Sequence, residues 1–215
     1  MPKISVVSNV LQANDAAAAE NRALMQAAGV VAVNIISAPG SGKTTLLQQT
    51  IPALAEGSSA VLVGDLQTSR DAERLADVAA ATVQINTGSG CHLSAEQVAA
   101  GLGELDLTGL DFVFIENVGN MVCPVSFDLG EHARVALLSV PEGDDKVAKY
   151  HTLFQAADVI VLNKVDLLGI LDFDLDRVRD DIAQVNTRAP FVQLSAKSGE
   201  GMDEWLGWLR ALRGH

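Results

Sequence analysis

The sequence predicts an α/β fold, a mostly parallel sheet of seven strands flanked by helices. From Gly29 onward, short apolar runs alternate with longer amphipathic stretches, the pattern of repeated strand–helix units. The apolar runs are rich in β-branched residues and bounded by polar residues or glycine, as buried strands are. A length of 215 residues suits one hydrophobic core and leaves no room for two large ones.

The elements follow in order. The stretch from Asn9 to Gly29 is rich in Ala, Glu and Gln and predicts a leading helix that Gly29 ends. This sets residues 1–28 apart as an N-terminal helical extension of a domain spanning 29–215. Strands are expected over Val30–Ser37, Ala60–Asp65, Thr82–Ile85, Phe112–Glu116, Val135–Val140, Val159–Asn163 and Phe191–Ser195. Helices are expected over Lys43–Leu54, Ser69–Ala80, Ser94–Gly103, Asp145–Ala156, Asp174–Val185 and Met202–Leu212. The last places Trp205, Trp208, Leu209 and Leu212 on one face, which suits packing on the sheet. No internal repeat or long linker interrupts the pattern.

Charge and composition narrow the function. With 27 acidic against 15 basic residues the net charge is -12, which repels nucleic acid and acidic membrane surfaces. A metal ion, or a ligand carried with its own cation, suits such a chain better. The longest apolar run, Val30 to Ile36, is already broken by Asn34 and falls far short of the roughly 18 residues of a spanning helix. Met1 to Asn14 show no basic start, apolar stretch and small-residue cleavage site, so the expected location is cytoplasmic. Cys91 and Cys123 are too few for a disulfide framework.

Ser37-Ala38-Pro39-Gly40-Ser41-Gly42-Lys43-Thr44 follows a predicted buried strand and opens a helix, the setting of a phosphate-binding loop. Gly40 and Gly42 let backbone N–H groups, that of Ser41 between them included, turn inward around phosphate oxygens. Lys43 supplies a charge to the β and γ phosphates, and Thr44 ligates Mg²⁺, with Thr45 next to it. Ser37 stands where the general pattern has its first glycine. A metal-bound triphosphate also needs a carboxylate and a γ-phosphate amide at a neighbouring strand end. Glu116-Asn117-Val118-Gly119 ends the strand beginning at Phe112 and supplies Glu116 and the Gly119 N–H, in the manner of the D-x-x-G element of GTPases. Asp65 ends another strand; it can hold the metal through water, or orient the attacking water, or cap the helix that follows.

Asn163-Lys164-Val165-Asp166 ends a further strand and selects the base. The Asp166 carboxylate can accept from N1–H and the exocyclic amine of guanine, whereas adenine would leave it unpaired. Lys164 can lay its stem along the base, and Ser195-Ala196-Lys197 resembles the loop whose amide meets the guanine O6. Neither an arginine finger nor a clearly placed glutamine is evident, which predicts slow intrinsic turnover.

Cys91 and His92 lie in a glycine-rich loop before a helix, and Cys123 directly follows the γ-phosphate segment. Two readings stand from the residues alone: two loop thiols, or a Cys91, His92 and Cys123 site for Zn²⁺ or Ni²⁺ with a place left open. His132, His151 and His215 have no comparable neighbours and are expected at the surface.

Several of these segments belong together. Ser37–Thr45, Gly64-Asp65-Leu66-Gln67-Thr68, Asn86-Thr87-Gly88-Ser89-Gly90-Cys91-His92-Leu93, Glu116–Pro124, Ser126–Glu131 and Asn163–Asp166 resemble the HypB family, GTPases of nickel insertion into [NiFe]-hydrogenase. The resemblance implies a SIMIBI-type P-loop GTPase fold, with Lys43, Asp65 and Glu116 at the catalytic centre. It implies GTP and GDP as ligands, Mg²⁺ on Thr44, Asp65 and Glu116, and Ni²⁺ or Zn²⁺ on Cys91, His92 and Cys123. It further implies a nucleotide-dependent homodimer with metal at its interface, and other maturation proteins as partners, including a nickel-binding HypA-type protein. The sequence departs from some members in lacking a cysteine-rich or histidine-rich nickel tract at its N-terminus. A UreG-like urease GTPase would carry Cys-Pro-His, but Val125 follows Cys123-Pro124 here. A nucleotide-gated partner-binding module with structural zinc, and an ATP-dependent carrier, are the competing classes.

Overall fold

The computed structural model describes residues 6–54, 58–65, 70–88 and 90–214. Helices and strands alternate through them: α1 (Val6–Ala27), β1 (Val31–Ser37), α2 (Lys43–Ala53), β2 (Ser58–Asp65), α3 (Arg70–Ala76), β3 (Ala81–Asn86), α4 (Ala95–Gly103) and β4 (Leu110–Glu116). There follow β5 (Ala133–Ser139), α5 (Lys146–Lys149), α6 (His151–Ala156), β6 (Val159–Asn163), α7 (Leu175–Val185), β7 (Phe191–Gln193) and α8 (Met202–Arg213). The seven strands form one sheet in the order β3-β2-β4-β1-β5-β6-β7, and every neighbouring pair is parallel.

A sheet covered on both faces explains why its central strands read as nearly continuous apolar runs, β4 being buried throughout. Alternate side chains point to opposite faces. Val33, Ile35, Phe112 and Phe114 meet Leu46, Leu47 and Ile51 of α2, Leu75 of α3, and Trp205, Leu206 and Leu209 of α8. On the other face Ala32, Val113 and Ile115 pack with Met25 of α1 and Val98 and Leu102 of α4. Ile36, Leu138 and Leu162 pack there with Leu153 and Phe154 of α6 and Val178 and Ile182 of α7. The expected stripe of α8 does face inward; the Trp205 indole donates to Thr50 Oγ1 at 2.9 Å and its ring stacks on Trp208.

The leading helix is packed into this fold. Met25 and Ala18 are fully buried. Asn21 Nδ2 donates to the carbonyls of Ala95 and Leu129, at 2.8 and 3.1 Å. Asn14 Oδ1 accepts from the Ala95 N–H at 2.9 Å while its Nδ2 donates to the Asp128 carbonyl at 2.7 Å. Gly130 has φ +88°, and a Cβ there would lie 2.6 Å from the Ala18 carbonyl oxygen, so the helix rests directly on the turn before β5.

Some expected elements differ. The helix expected over Asp145–Ala156 is broken at Tyr150 (φ -116°, ψ 36°) into α5 and α6. An unbroken helix would set Leu153 about 120° around from Val147, and the break lets both be fully buried with Phe154. The helix expected over Ser69–Ala80 ends at Ala76, because Val78 and Ala79 turn back onto the Leu75 carbonyl and Ala80 already bonds Ser59 ahead of β3. Its start at Ser69 lies outside the described residues, as do Leu66, Gln67, Thr68, Ser89 and His215. The last strand stops at Gln193 rather than Ser195, since the Ser195 N–H bonds Glu200 within its own loop. β5 begins at Ala133 and ends before Val140, where Pro141 enters a 3₁₀ turn. The remaining boundaries coincide, as at both ends of β6, or move by at most three residues.

Candidate functional site

The strand order puts the carboxyl ends of β1 and β4 side by side, with β2 and β5 flanking them, and loops leaving such ends meet in a common crevice. Residues 38–42 connect β1 to α2 through Gly40 (φ +77°) and Gly42 (φ +100°), left-handed positions open to glycine at no steric cost. A Cβ on Gly42 would also lie 2.6 Å from Asn163 Nδ2. Lys43 is buried, with Nζ 3.1 Å from Ser37 Oγ, so the serine in the place of the first glycine positions the ammonium group. Burial pulls Lys43 below its ordinary range, and the carboxylates of Glu116, Asp71, Glu142 and Asp65 oppose this. The Ser41 hydroxyl turns away from the crevice, 2.7 Å from Glu142 Oε1 and 2.8 Å from the Ala38 carbonyl.

A cavity of about 450 Å³ opens over this loop, lined by Pro39, Gly40, Gly42, Lys43, Thr44 and Thr45 on one side. Gly64, Asp65, Asp71, Arg74, Glu116 to Gly119 and Lys164 complete it. Thr44 Oγ1 donates to Glu116 Oε1 at 2.8 Å, and Glu116 Oε2 is buried with no partner. Burial pushes the Glu116 carboxyl up to about 7, against the pull of Lys43 and the Thr44 hydrogen bond. An orphaned carboxylate oxygen beside a threonine hydroxyl, with Asp65 on the same cavity wall, is a donor set that fits a hard divalent cation such as Mg²⁺. Gly119 lies against the phosphate loop, where a Cβ would come within 2.9 Å of Pro39 Cα. Arg74, on α3, reaches this cavity although no sequence motif marks it; it donates to Gln48 Oε1 at 2.7 Å and pairs with Asp71.

A second cavity of about 390 Å³ shares Gly42, Thr45 and Lys164 with the first and is lined further by Asn163, Asp166, Leu167, Ala196 and Lys197. Asn163 fastens three loops here. Its Nδ2 donates to the Ser41 carbonyl at 2.8 Å, and its Oδ1 accepts from the N–H groups of Lys164 and Ala196, at 2.8 and 3.0 Å. Lys164 has φ +63° and donates to the Gly40 carbonyl at 2.6 Å, which stretches its stem across the cavity. Asp166 Oδ1 is buried without a partner. Ser195 is fully buried, its hydroxyl accepting from the Ser198 N–H at 3.1 Å, so it shapes the loop that presents Ala196 and Lys197.

Cys91, His92 and Cys123 come together outside these cavities, with their ligand atoms all within 4.8 Å of one another. No other such group occurs among the described residues. Cys91 Sγ lies 3.6 Å from His92 Nδ1, and the His92 ring packs on Phe127 at 3.9 Å between centroids. A proton shared between the sulfurs lowers the Cys123 pKa and raises that of Cys91. Burial lowers that of His92, favouring the neutral, ligating imidazole. Two sulfurs and an imidazole suit Zn²⁺ or Ni²⁺ and leave coordination positions open.

Three residues outside the sequence motifs' predicted roles hold this arrangement. Asn120 Nδ2 donates to the Cys91 carbonyl at 3.1 Å while its Oδ1 accepts from the Val122 N–H at 2.9 Å, tying the two cysteine loops together. Asn117 joins the Leu93 and Val118 backbones. Glu142 Oε1 also accepts from the Ser139 N–H at 2.9 Å, bracing the phosphate loop against the end of β5. Asn117 and Asn120 lie within the Glu116–Pro124 segment, which assigns neither of them a role. His132, expected to be a plain surface residue, is exposed yet accepts from the Ala32 N–H through Nδ1 at 2.9 Å.

The sequence profile described as the nucleotide-binding domain of CobW/HypB/UreG matches residues 31–193. The hydrogenase maturation factor HypB of Azotobacter vinelandii is 48% identical over 98% of this chain and 70% of its own length. That of Escherichia coli K12 is 46% identical over 98% of this chain and 73% of its own. The crystal structure of HypB from Helicobacter pylori in complex with nickel superposes with a TM-score of 0.89 at 38% identity, covering 93% of this chain and 94% of that one. With motif order, parallel-sheet architecture and the overlap of nearly the whole chain in agreement, the chain belongs to the HypB family of the CobW/HypB/UreG nucleotide-binding domains.

Proposed function

We propose that the protein is a Mg²⁺-dependent GTPase metallochaperone of [NiFe]-hydrogenase maturation, in which GTP binding and hydrolysis switch dimerisation and metal release. The observation that carries the nucleotide half is a pair of buried, unpartnered carboxylate oxygens, Glu116 Oε2 at the phosphate end and Asp166 Oδ1 at the base end of adjoining cavities. Each matches what one end of Mg·GTP offers, a cation and the two donors of guanine. The nickel-bound relative and the Cys91, His92 and Cys123 triangle support the metal half.

In this reading the backbone of Gly40 to Gly42 and the Lys43 ammonium hold the β and γ phosphates. Thr44, Glu116 and Asp65 hold Mg²⁺, which neutralises the charge that develops on the phosphates. The Gly119 N–H meets the γ-phosphate, and Asp65 orients the water that adds to its phosphorus as the β–γ bridging bond breaks. Asn163, Lys164, Ala196 and Lys197 frame guanine while Asp166 accepts from it. Arg74 is held by Gln48 and Asp71 rather than aimed by a dedicated partner, and intrinsic turnover is slow.

Nickel or zinc is cargo, held by Cys91, His92 and Cys123 of one copy against the same residues of a second. Because Cys123 follows Gly119 by four residues, loss of the γ-phosphate loosens the metal. The recipient partners are other maturation proteins, a nickel-binding HypA-type protein among them, in the cytoplasm. Competition against a fluorescent guanine nucleotide tests the base assignment: GTP displaces it, ATP does not, and Asp166→Asn weakens GTP by about a hundredfold. Equal competition by ATP would overturn it.

A further inference from the structure

We infer that Asn117 is the positioning residue through which the phosphate end of the nucleotide site sets the place of the Cys91–His92 loop. The inference rests on the proposed sensing of the γ-phosphate at Gly119 and supplies it with a second route to the metal, separate from the covalent one to Cys123.

Asn117 is buried, next to Glu116 and two residues before Gly119. Its Oδ1 is shared between two segments: it accepts from the Val118 N–H at 3.0 Å and from the Leu93 N–H at 3.2 Å. The amide is pinned from behind. Its Nδ2 donates to Asn34 Oδ1 at 3.2 Å, Asn34 Nδ2 donates to Glu131 Oε1 at 3.1 Å, and Arg134 Nη2 reaches that same oxygen at 2.8 Å. Asn117, Asn34 and Glu131 are buried, so these three have no water as a substitute partner, while the half-buried Arg134 closes the chain from outside.

Leu93, the residue after His92, is held on a second side as well. Its side chain is fully buried against Gly64, where a Cβ would meet three Leu93 carbons at 2.8–3.0 Å. Gly64 precedes Asp65, whose carbonyl in turn accepts from the Thr87 N–H at the start of the metal loop, at 3.0 Å. Cys91 and His92 are thus spanned by two bonds from the segment after β4, Asn120 on the Cys91 carbonyl and Asn117 on the Leu93 N–H.

A hydrogen bond of 3.0–3.2 Å is lost by a displacement of about half an ångström or a modest tilt. When the Val118–Gly119 peptide turns toward or away from a γ-phosphate, the shared Oδ1 cannot keep both N–H groups at their present distance. Leu93 follows or is released, and the Cys91–His92 pair moves relative to Cys123. Without Asn117, the Leu93 end of the loop would be released, and only Cys123 and the Asn120 bond to the Cys91 carbonyl would carry the response.

Amide hydrogen exchange at Leu93, read by NMR on the full chain free of nickel and zinc and saturated with Mg·GDP or with Mg and a non-hydrolysable GTP analogue, tests this directly. We expect the Leu93 exchange rate to differ by about threefold or more between the two states; equal protection overturns the inference. In Asn117→Ala, the ratio of Ni²⁺ affinities in the two nucleotide states shrinks toward one, and a ratio kept at the wild-type value overturns it too. The wild-type exchange measurement decides the matter if that variant does not fold. A Leu93 response together with a nickel affinity that ignores nucleotide in the wild type would uphold the positioning role and refute the metal-release reading instead.

Discussion

Glu116 and Asp166 show how a protein built for a ligand is locally unfavourable without it, since each keeps a carboxylate oxygen out of water with nothing to accept from. Glu116→Gln removes a buried charge while keeping the acceptor for Thr44. The expected outcome is a ligand-free protein more stable to urea by about 1–2 kcal/mol, with Mg²⁺-dependent phosphate release reduced about a hundredfold or more. A destabilised variant, or one that still hydrolyses GTP at the wild-type rate, would contradict the role given to Glu116. At this scale the sequence is informative where chemistry fixes spacing: Lys43, Thr44, Glu116 and Asp166 are legible because each must stand at a strand end beside a glycine or helix start. Asn117 is not, because its partner Leu93 is 24 residues away and only the parallel neighbours β2 and β4 bring them together. Ser37, which breaks the general phosphate-loop pattern, finds its physical reason only in its contact with Lys43.

Between elements, the join of β1 to β5 depends on a titratable ring. His132 Nδ1 accepts from the Ala32 N–H and must be unprotonated to do so. Partial burial of the ring where it meets the β1 backbone, then the nearby Arg22, lowers its pKa, with Glu131 opposing. A folded-state pKa below the unfolded one means that the contribution is fully present above about pH 6.5 and is lost as pH falls through the folded value. Urea stability should therefore decline from pH 7 toward pH 5, and His132→Asn, which keeps an acceptor but does not titrate, should flatten part of that decline. His92 adds a dependence of the same sign, so the difference between variant and wild type carries the result. Equal slopes in the two would contradict it. Strand and helix positions were legible from periodicity and caps, as with Ser94, which closes a capping box at the start of α4. The break at Tyr150 was not, because Lys146 to Ala156 carries no proline or glycine, and the rotation answers to the cores beneath α5 and α6.

Across the whole molecule, alternation of strands and helices announces a parallel sheet but leaves open which strands are neighbours. The order β3-β2-β4-β1-β5-β6-β7 sets the end of β4 between β1, with its phosphate loop, and β2, with Asp65 and the loop of Cys91 riding beside it. Nucleotide and metal groups separated in sequence thereby share a frame. An equilibrium shared by two sites binds both ligands reciprocally: whatever GTP does to nickel affinity, nickel must do to GTP affinity. The excess of acidic residues accords with the proposed cationic cargo and with the proposed nucleotide, which would arrive with its own cation.

Control of metal affinity by nucleotide state, through the Cys91, His92 and Cys123 group, is the core of the proposed function. It is tested most directly by measuring Ni²⁺ and Zn²⁺ affinity and stoichiometry with GDP and with a non-hydrolysable GTP analogue, on wild type and Cys123→Ala. Binding is expected to be tighter with the GTP analogue, by about fivefold or more, and that difference is expected to vanish in the variant. Identical affinities in the two nucleotide states of the wild-type protein would contradict it.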